Sequence, residues 1–197
     1  MGLPLAKTQQ YTYGDYLTWP DDMRYELIGG EAYAMSPAPT LDHQEIVGEV
    51  FYQLKQQLEA KPCRVFIAPI DVRLPSQDEA DEAINTVVQP DVIMVCDPGK
   101  LDRRGVRGAP DWVLEVLSPS TALHDQRIKR NIYERAGVKE YWLIHPIDRT
   151  LTLYILEQGG YGRPEICELA GETVLLTQPD IVIRWDALAQ RLPQMVY

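Results

Sequence analysis

The chain has 197 residues, 45% hydrophobic and 24% charged, a composition ordinary for a globular protein and long enough for one well-cored domain. Its formal net charge of -10 repels phosphate backbones globally, so nucleic-acid binding requires a local basic patch. No apolar run approaches the roughly 20 residues of a membrane span, and no basic flank leads into an apolar segment at the N-terminus, so the expectation is a cytoplasmic protein with no membrane contact. Cys63, Cys96 and Cys167 are scattered and contain no Cys-x-x-Cys pair, which argues against structural zinc and a disulfide framework and makes Cys63 and Cys96 small core residues.

Residues 11–19 predict a short helix ended by Pro20. Alternating runs at 24–28 and 31–35 flank Gly29-Gly30 and predict a β-hairpin. Beyond a cap at Thr40 or Asp42, Ile46, Val47, Val50, Phe51, Leu54 and Leu58 recur at helical spacing, predicting an amphipathic helix to about Ala60. Residues 63–68 and 70–74 are apolar and β-branched and predict strands split at Pro69. The acidic run 76–83 reads as a solvated loop, since it lacks the glycine turn of a calcium loop. Residues 87–96 and 111–117 predict two central strands joined by a basic loop. A helix from near Thr121 ends at Gly137, a suitable C-cap. Residues 140–145 and 149–157 predict a strand pair turning at Asp148, followed by short antiparallel strands to Ile183 and a final helix over 185–191. This order argues an α/β domain over 1–197: a mixed β-sheet flanked by helices, with an N-terminal hairpin and additional C-terminal antiparallel strands.

Two acids stand where central strands normally carry aliphatic residues. Asp91 opens the first strand and Glu115 interrupts the second. A buried carboxylate is costly unless paired or bound to a metal. Asp111, Val113 and Glu115 share one strand face, with Trp112, Leu114 and Val116 on the other. One carboxylate from each of two neighbouring strands makes a small magnesium site, able to polarise a phosphoryl oxygen and acidify water. A nearby cation would stabilise the added negative charge of phosphodiester cleavage. Leu117, two residues after Glu115, supplies none. Asp125, Lys129 and Tyr133 share a helical face, and Lys129 reaches the site if that helix packs over the strand end.

The residues also have plainer explanations. Asp91 after Pro90 could be a turn residue, Glu115 a structural ion-pair partner and Lys129 a solvated helix lysine. His43 is either a site contact or a capping histidine, and Glu45 and Glu49 more often face solvent in such a helix. His124 and His145 lack metal-type spacing, and Asp71 either approaches Asp91 or pairs near Arg73. Ser118 and Ser120 lack a nucleophile-elbow context, and no phosphate-cradling Gly-x-x-x-x-Gly-Lys loop occurs. Lys100, Arg103, Arg104, Arg107, Arg127, Arg130 and Arg135 flank the acid pair and are the candidate basic patch; a solubilising surface is the alternative.

Tyr25-Glu26-Leu27-Ile28-x-Gly30-Glu31, His43, Asp71-Val72-Arg73-Leu74, Pro90-Asp91-Val92, Asp111-x-x-x-Glu115-Val116-x-Ser118-Pro119-Ser120-Thr121, Asp125-x-x-x-Lys129-x-x-x-Tyr133 and Gly137-Val138-x-Glu140-Tyr141-Trp142 together resemble the PD-(D/E)XK nuclease superfamily. The closer likeness is to its Uma-type branch of single-domain, restriction-endonuclease-like proteins. The resemblance implies a restriction-endonuclease-like core and a magnesium-dependent endonuclease acting on DNA, with manganese as a substitute ion. It implies Asp91 and Glu115 as metal ligands and catalytic residues, with Lys129 as the catalytic lysine in place of the one missing at Leu117. It also implies a homodimer, for which Trp19 and Tyr141 are candidate exposed aromatics. The alternatives are a catalytically inactive binding domain on a nuclease scaffold and a hydrolase of smaller phosphoesters.

Overall fold

The computed structural model describes residues 10–20, 23–35, 38–118 and 124–192. A one-turn helix, α1 (Tyr13–Tyr16), starts in a reciprocal capping box between Thr12 and Asp15. The hairpin β1 (Tyr25–Ile28) and β2 (Glu31–Ala34) turns at Gly29-Gly30. Helix α2 (Leu41–Gln57) begins at Thr40, whose side chain accepts from the His43 backbone N–H. Strands β3 (Arg64–Ile67) and β4 (Val72–Arg73) follow, separated by a cis Ala68-Pro69 bond.

The segment expected as one strand over 87–96 is two. β5 (Val87–Val88) and β6 (Val92–Val95) lie in different sheets, with the chain crossing between them at 89–91. Pro90, which has no N–H for a ladder, sits at that crossing. The basic loop contains a small hairpin, β7 (Leu101–Asp102) and β8 (Gly105–Arg107). β9 (Trp112–Val116) is buried along its whole length. The following helix is described from His124: a π-helical turn over His124–Lys129 runs into α3 (Arg130–Ala136), which ends on left-handed Gly137. Its expected start near Thr121 and Ser120 lie outside the described residues. β10 (Glu140–His145), β11 (Thr150–Glu157), β12 (Gly160–Tyr161), β13 (Glu165–Glu168), β14 (Glu172–Leu175), β15 (Gln178–Arg184) and α4 (Asp186–Arg191) complete the order.

Among the described residues, one sheet runs β2-β1-β5-β4-β8-β7. A second runs β12-β11-β10-β9-β6-β3, with β13 also on β11, and β14 pairs β15 separately. β9 and β10 are parallel and the other pairs of the second sheet antiparallel, so the sheet is mixed. One face carries Val92, Met94, Trp112, Leu114 and Trp142 against Ile46, Val50 and Leu54 of α2 and Ile183 of β15. The other carries Ile93, Val95, Val113 and Tyr141 against Tyr133 of α3. Period-two alternation on β9 thus separates two cores and places Glu115 on the α3 side.

Four expectations need correction. Cys63 and Cys96 form a disulfide. Their strands are antiparallel partners with Arg64 opposite Val95, so the next residues outward face each other, a proximity that spacing along the chain did not reveal. Tyr141 is fully buried, donating to the Asp125 carbonyl, because β10 is an interior strand. Glu49 is buried and bound to Gln53 and Arg191. The acidic run is not wholly solvated, since Asp81 accepts from both Arg73 and Arg107.

Candidate functional site

Strand register brings the two acids together. Val92 pairs with Leu114 in the antiparallel β6–β9 ladder, so one further step sets Asp91 opposite Glu115. The Val116 backbone N–H donates to Asp91 Oδ2 at 2.8 Å, and His43 Nε2 lies 3.1 Å from the same oxygen. α2 therefore delivers His43 to the end of β6. The capping of α2 by Thr40 fixes that first turn.

On the α3 side, Lys129 Nζ lies 2.9 Å from Glu115 Oε1, and the Tyr133 hydroxyl donates to that oxygen at 2.8 Å. The four-residue spacing of Asp125, Lys129 and Tyr133 does place all three toward Glu115 or its lysine. Lys129 also lies 2.9 Å from Glu26 Oε1 on β1, and 3.6 Å from Asp125 Oδ1. Glu26 accepts a backbone N–H from Gln89 at 2.8 Å, and His124 Nε2 stands 3.5 Å from its other oxygen.

Glu26, Glu115, Asp125 and Lys129 are each at most 4% exposed. Asp91 and His43 are half-buried at the open side, their side chains 18% and 13% exposed. One ammonium thus faces the carboxylates of Glu26, Glu115 and Asp125, with Asp91 beyond. Its attraction is divided unequally. Glu26, despite its burial, is held down to about 2 by Lys129, His124 and the Gln89 N–H. Glu115 is pushed well above the usual carboxylate range by burial and by Asp125, Asp91 and Glu26, with Lys129 opposing. Lys129 is raised: burial would lower it, but Glu115, Glu26 and Asp125 outweigh that. Among the described residues, Glu115 Oε2 and Asp91 Oδ1 make no hydrogen bond, and the buried His43 Nδ1 has no partner. No group of three or more His, Cys, Asp or Glu side chains forms a ready metal cage among them.

Other candidates lie elsewhere. Asp111 accepts from the Cys96 N–H and from Lys139. His145 pairs with Asp148, and Glu45 is exposed near Arg191. Asp71 binds Tyr16 and Gln89 rather than Asp91. Most of the basic patch is engaged: Lys100 donates to the Ala109 carbonyl, Arg104 meets Glu82, Arg107 meets Asp81, and Arg130 meets Glu134. Arg103, Arg127 and Arg135 are exposed and have no carboxylate partner among the described residues. Sequence reasoning assigned no role to Glu26 or Gln89. The signal for Glu26 was a lone acid between Tyr25 and Leu27 in a strand whose burial that reading did not establish.

The Uma2 family, described as "Putative restriction endonuclease", matches residues 13–187. An uncharacterized protein of Synechocystis sp. is 26% identical over 158 residues, covering 77% of each chain. The crystal structure of a putative nuclease belonging to DUF820 from Anabaena variabilis superposes with a TM-score of 0.71 at 19% identity. That likeness covers 92% of this chain and 99% of the other, and carries the fold alone.

Proposed function

The chain belongs to the Uma2 family, and from that membership and the carboxylate cluster we propose that it is an endonuclease hydrolysing DNA phosphodiester bonds with a divalent cation held by Asp91 and Glu115. The observation that carries this reading is the charge imbalance: the carboxylates of Glu115, Glu26 and Asp125 crowd one lysine, Asp91 adds its charge next to Glu115, and among the described residues Asp91 and Glu115 each have an oxygen without a hydrogen bond. All-oxygen donors in this number fit magnesium, or manganese, which keep several waters and need only one or two carboxylates. A bound ion would supply Lewis-acid polarisation of a phosphodiester oxygen and acidification of water.

The chain's own residues do the positioning. His43 and the Val116 N–H fix Asp91 through Oδ2 and leave Oδ1 toward the open side. Lys129 and Tyr133 fix Glu115 through Oε1 and leave Oε2. Lys129 is clamped by Glu26 and Glu115, so it contributes a fixed positive charge behind the reacting phosphate rather than a swinging arm. Glu26 thereby acts as a positioning residue for the lysine.

The alternative, an inactive binding domain on the same scaffold, is favoured by the full engagement of Lys129 within the protein. Calorimetry with magnesium or manganese separates the two. The nuclease reading expects uptake that is lost in Glu115→Gln; heat that is absent, or unchanged in the variant, would support the binding domain.

A further inference from the structure

Beside the carboxylate cluster lies a groove of about 670 Å³ whose lining includes Tyr16, Trp19, Asp71, Gln89, Arg103 and Arg104. Its wall is aromatic. Trp19 meets Tyr11, Tyr16 and Tyr25 at centroid distances of 5.2, 5.5 and 5.0 Å. Tyr16 and Trp19 are half-buried, so rigidly packed rings keep part of their surface toward the groove.

The floor is polar and ordered. Arg24 donates through Nε and Nη2 to Gln89 Oε1 at 2.9 and 2.6 Å. Gln89 Nε2 then donates to Tyr16 Oη and to Asp71 Oδ1, both at 3.0 Å. The Tyr16 hydroxyl donates to the same Asp71 oxygen at 3.1 Å. Among the described residues Asp71 Oδ2 has no hydrogen bond, leaving an acceptor in the groove. Burial pushes the Asp71 carboxyl up, only partly offset by Gln89 and Tyr16.

The rim is the β7–β8 hairpin, which bears Arg103 and Arg104. Fully buried Arg73 ties it down, pairing with Asp102 at 2.6 Å and lying 5.5 Å from the Tyr13 ring centroid. Gln89, which lines the groove, links it to the candidate active site: its backbone N–H binds Glu26 and it precedes Asp91 by two residues. That separation is at most about 7 Å.

We propose that this groove binds an unpaired nucleobase of single-stranded DNA, stacked on Tyr16 and Trp19 and read at its N–H edge by Asp71, with Arg103 on the flanking phosphate. Stacking on aromatic walls is tolerant of base identity and needs an unstacked base, which an intact duplex does not present. A carboxylate acceptor suits the amino or imino N–H of a base and repels a phosphate. The substrate class that follows, single-stranded or locally unpaired DNA, rests on the nuclease reading; the groove itself does not depend on catalysis.

Tryptophan fluorescence tests the proposal selectively. Trp112, Trp142 and Trp185 are fully buried, so quenching by added oligonucleotide reports on Trp19. With a chelator present to prevent cleavage, oligothymidylate should quench the parent protein and an equal length of duplex should not. Trp19→Phe should lose the signal. Asp71→Asn, which keeps an acceptor for Tyr16 and Gln89 but replaces the other carboxylate oxygen with a donor, and Arg103→Ala should each weaken single-strand binding about tenfold in an anisotropy titration while leaving the thermal midpoint near that of the parent. Glu115→Gln should quench as the parent does. A protein that cleaves DNA without single-strand quenching, or that binds duplex equally well, overturns the groove and spares the nuclease. Quenching in a protein that never cleaves upholds the groove and removes the nuclease.

Discussion

Lys129 and its carboxylates decide the energetics of the site. Removing one partner of a buried ion pair typically costs about 3–5 kcal/mol, because the remaining charge is left unpaired. Lys129→Met strands Glu26, Glu115 and Asp125 together, so it should lower stability by at least that amount in a denaturant titration. Glu115→Gln should behave differently. It relieves a carboxylate whose ionisation the fold opposes and leaves Lys129 with Glu26, so its thermal midpoint should equal or exceed the parent's while metal uptake disappears. A large loss of stability in Glu115→Gln would mean that the residue is chiefly structural.

The pH dependences of Glu26 and Glu115 have opposite signs. Glu26 is depressed to about 2, so its contribution is complete above the ordinary glutamate range and is lost as pH falls toward 2. The gap from its ordinary value corresponds to about 3 kcal/mol. Acid unfolding followed by circular dichroism should lose much of this slope in Glu26→Gln. Glu115 is raised, so its ionisation opposes folding increasingly as pH rises above the ordinary glutamate value, until the folded-state value is passed. Metal uptake should therefore strengthen with pH and release a proton, which calorimetry in buffers of different ionisation enthalpy measures.

At the scale of elements, the site depends on how β5 hands over to β6. The chain leaves one sheet after Val88 and joins the other at Val92, and the residues between include Gln89 and Asp91, which bind β1 and β9 respectively. The β7–β8 hairpin is seated as closely. Gly105 has φ +114, and a Cβ there would fall 2.3 Å from the Asp71 carbonyl oxygen. Gly137, at the end of α3, also has positive φ, but a Cβ there meets nothing within 4 Å. Gly137→Ala should therefore cost only the left-handed backbone penalty, about 1–2 kcal/mol. Gly105→Ala should cost distinctly more and raise hydrogen exchange across 101–107. Equal thermal midpoints for the two variants would contradict this seating of the hairpin.

Across the molecule, the legible parts of the sequence were those with strong local periodicity or punctuation. The Gly29-Gly30 hairpin, the amphipathic stripe from Ile46 to Leu54, and the stop at Gly137 each have a short-range physical cause. Asp91 and Glu115 stood out because ionised groups are expensive among aliphatic neighbours, and Asp125, Lys129 and Tyr133 because of their helical step. Contacts between distant segments were not legible. Glu26 on Lys129, His43 on Asp91, the Cys63–Cys96 disulfide and the seating of Arg73 join residues far apart in sequence, and no single-strand or single-helix pattern encodes them. Charge was partly legible: the flanking arginines were visible, but not their neutralisation by Asp81, Glu82 and Glu134.

With Arg103, Arg127 and Arg135 as the exposed cations of that set lacking a carboxylate partner among the described residues, single-strand binding should have a shallow salt dependence. Three phosphate contacts give a log–log slope of about −2. A much steeper slope would point to a larger basic track.

The most direct measurement is cleavage of DNA by purified parent protein and Glu115→Ala, each with and without magnesium. The expected result is cleavage by the parent only with magnesium and none by the variant under either condition. Magnesium-dependent cleavage by folded Glu115→Ala would contradict it.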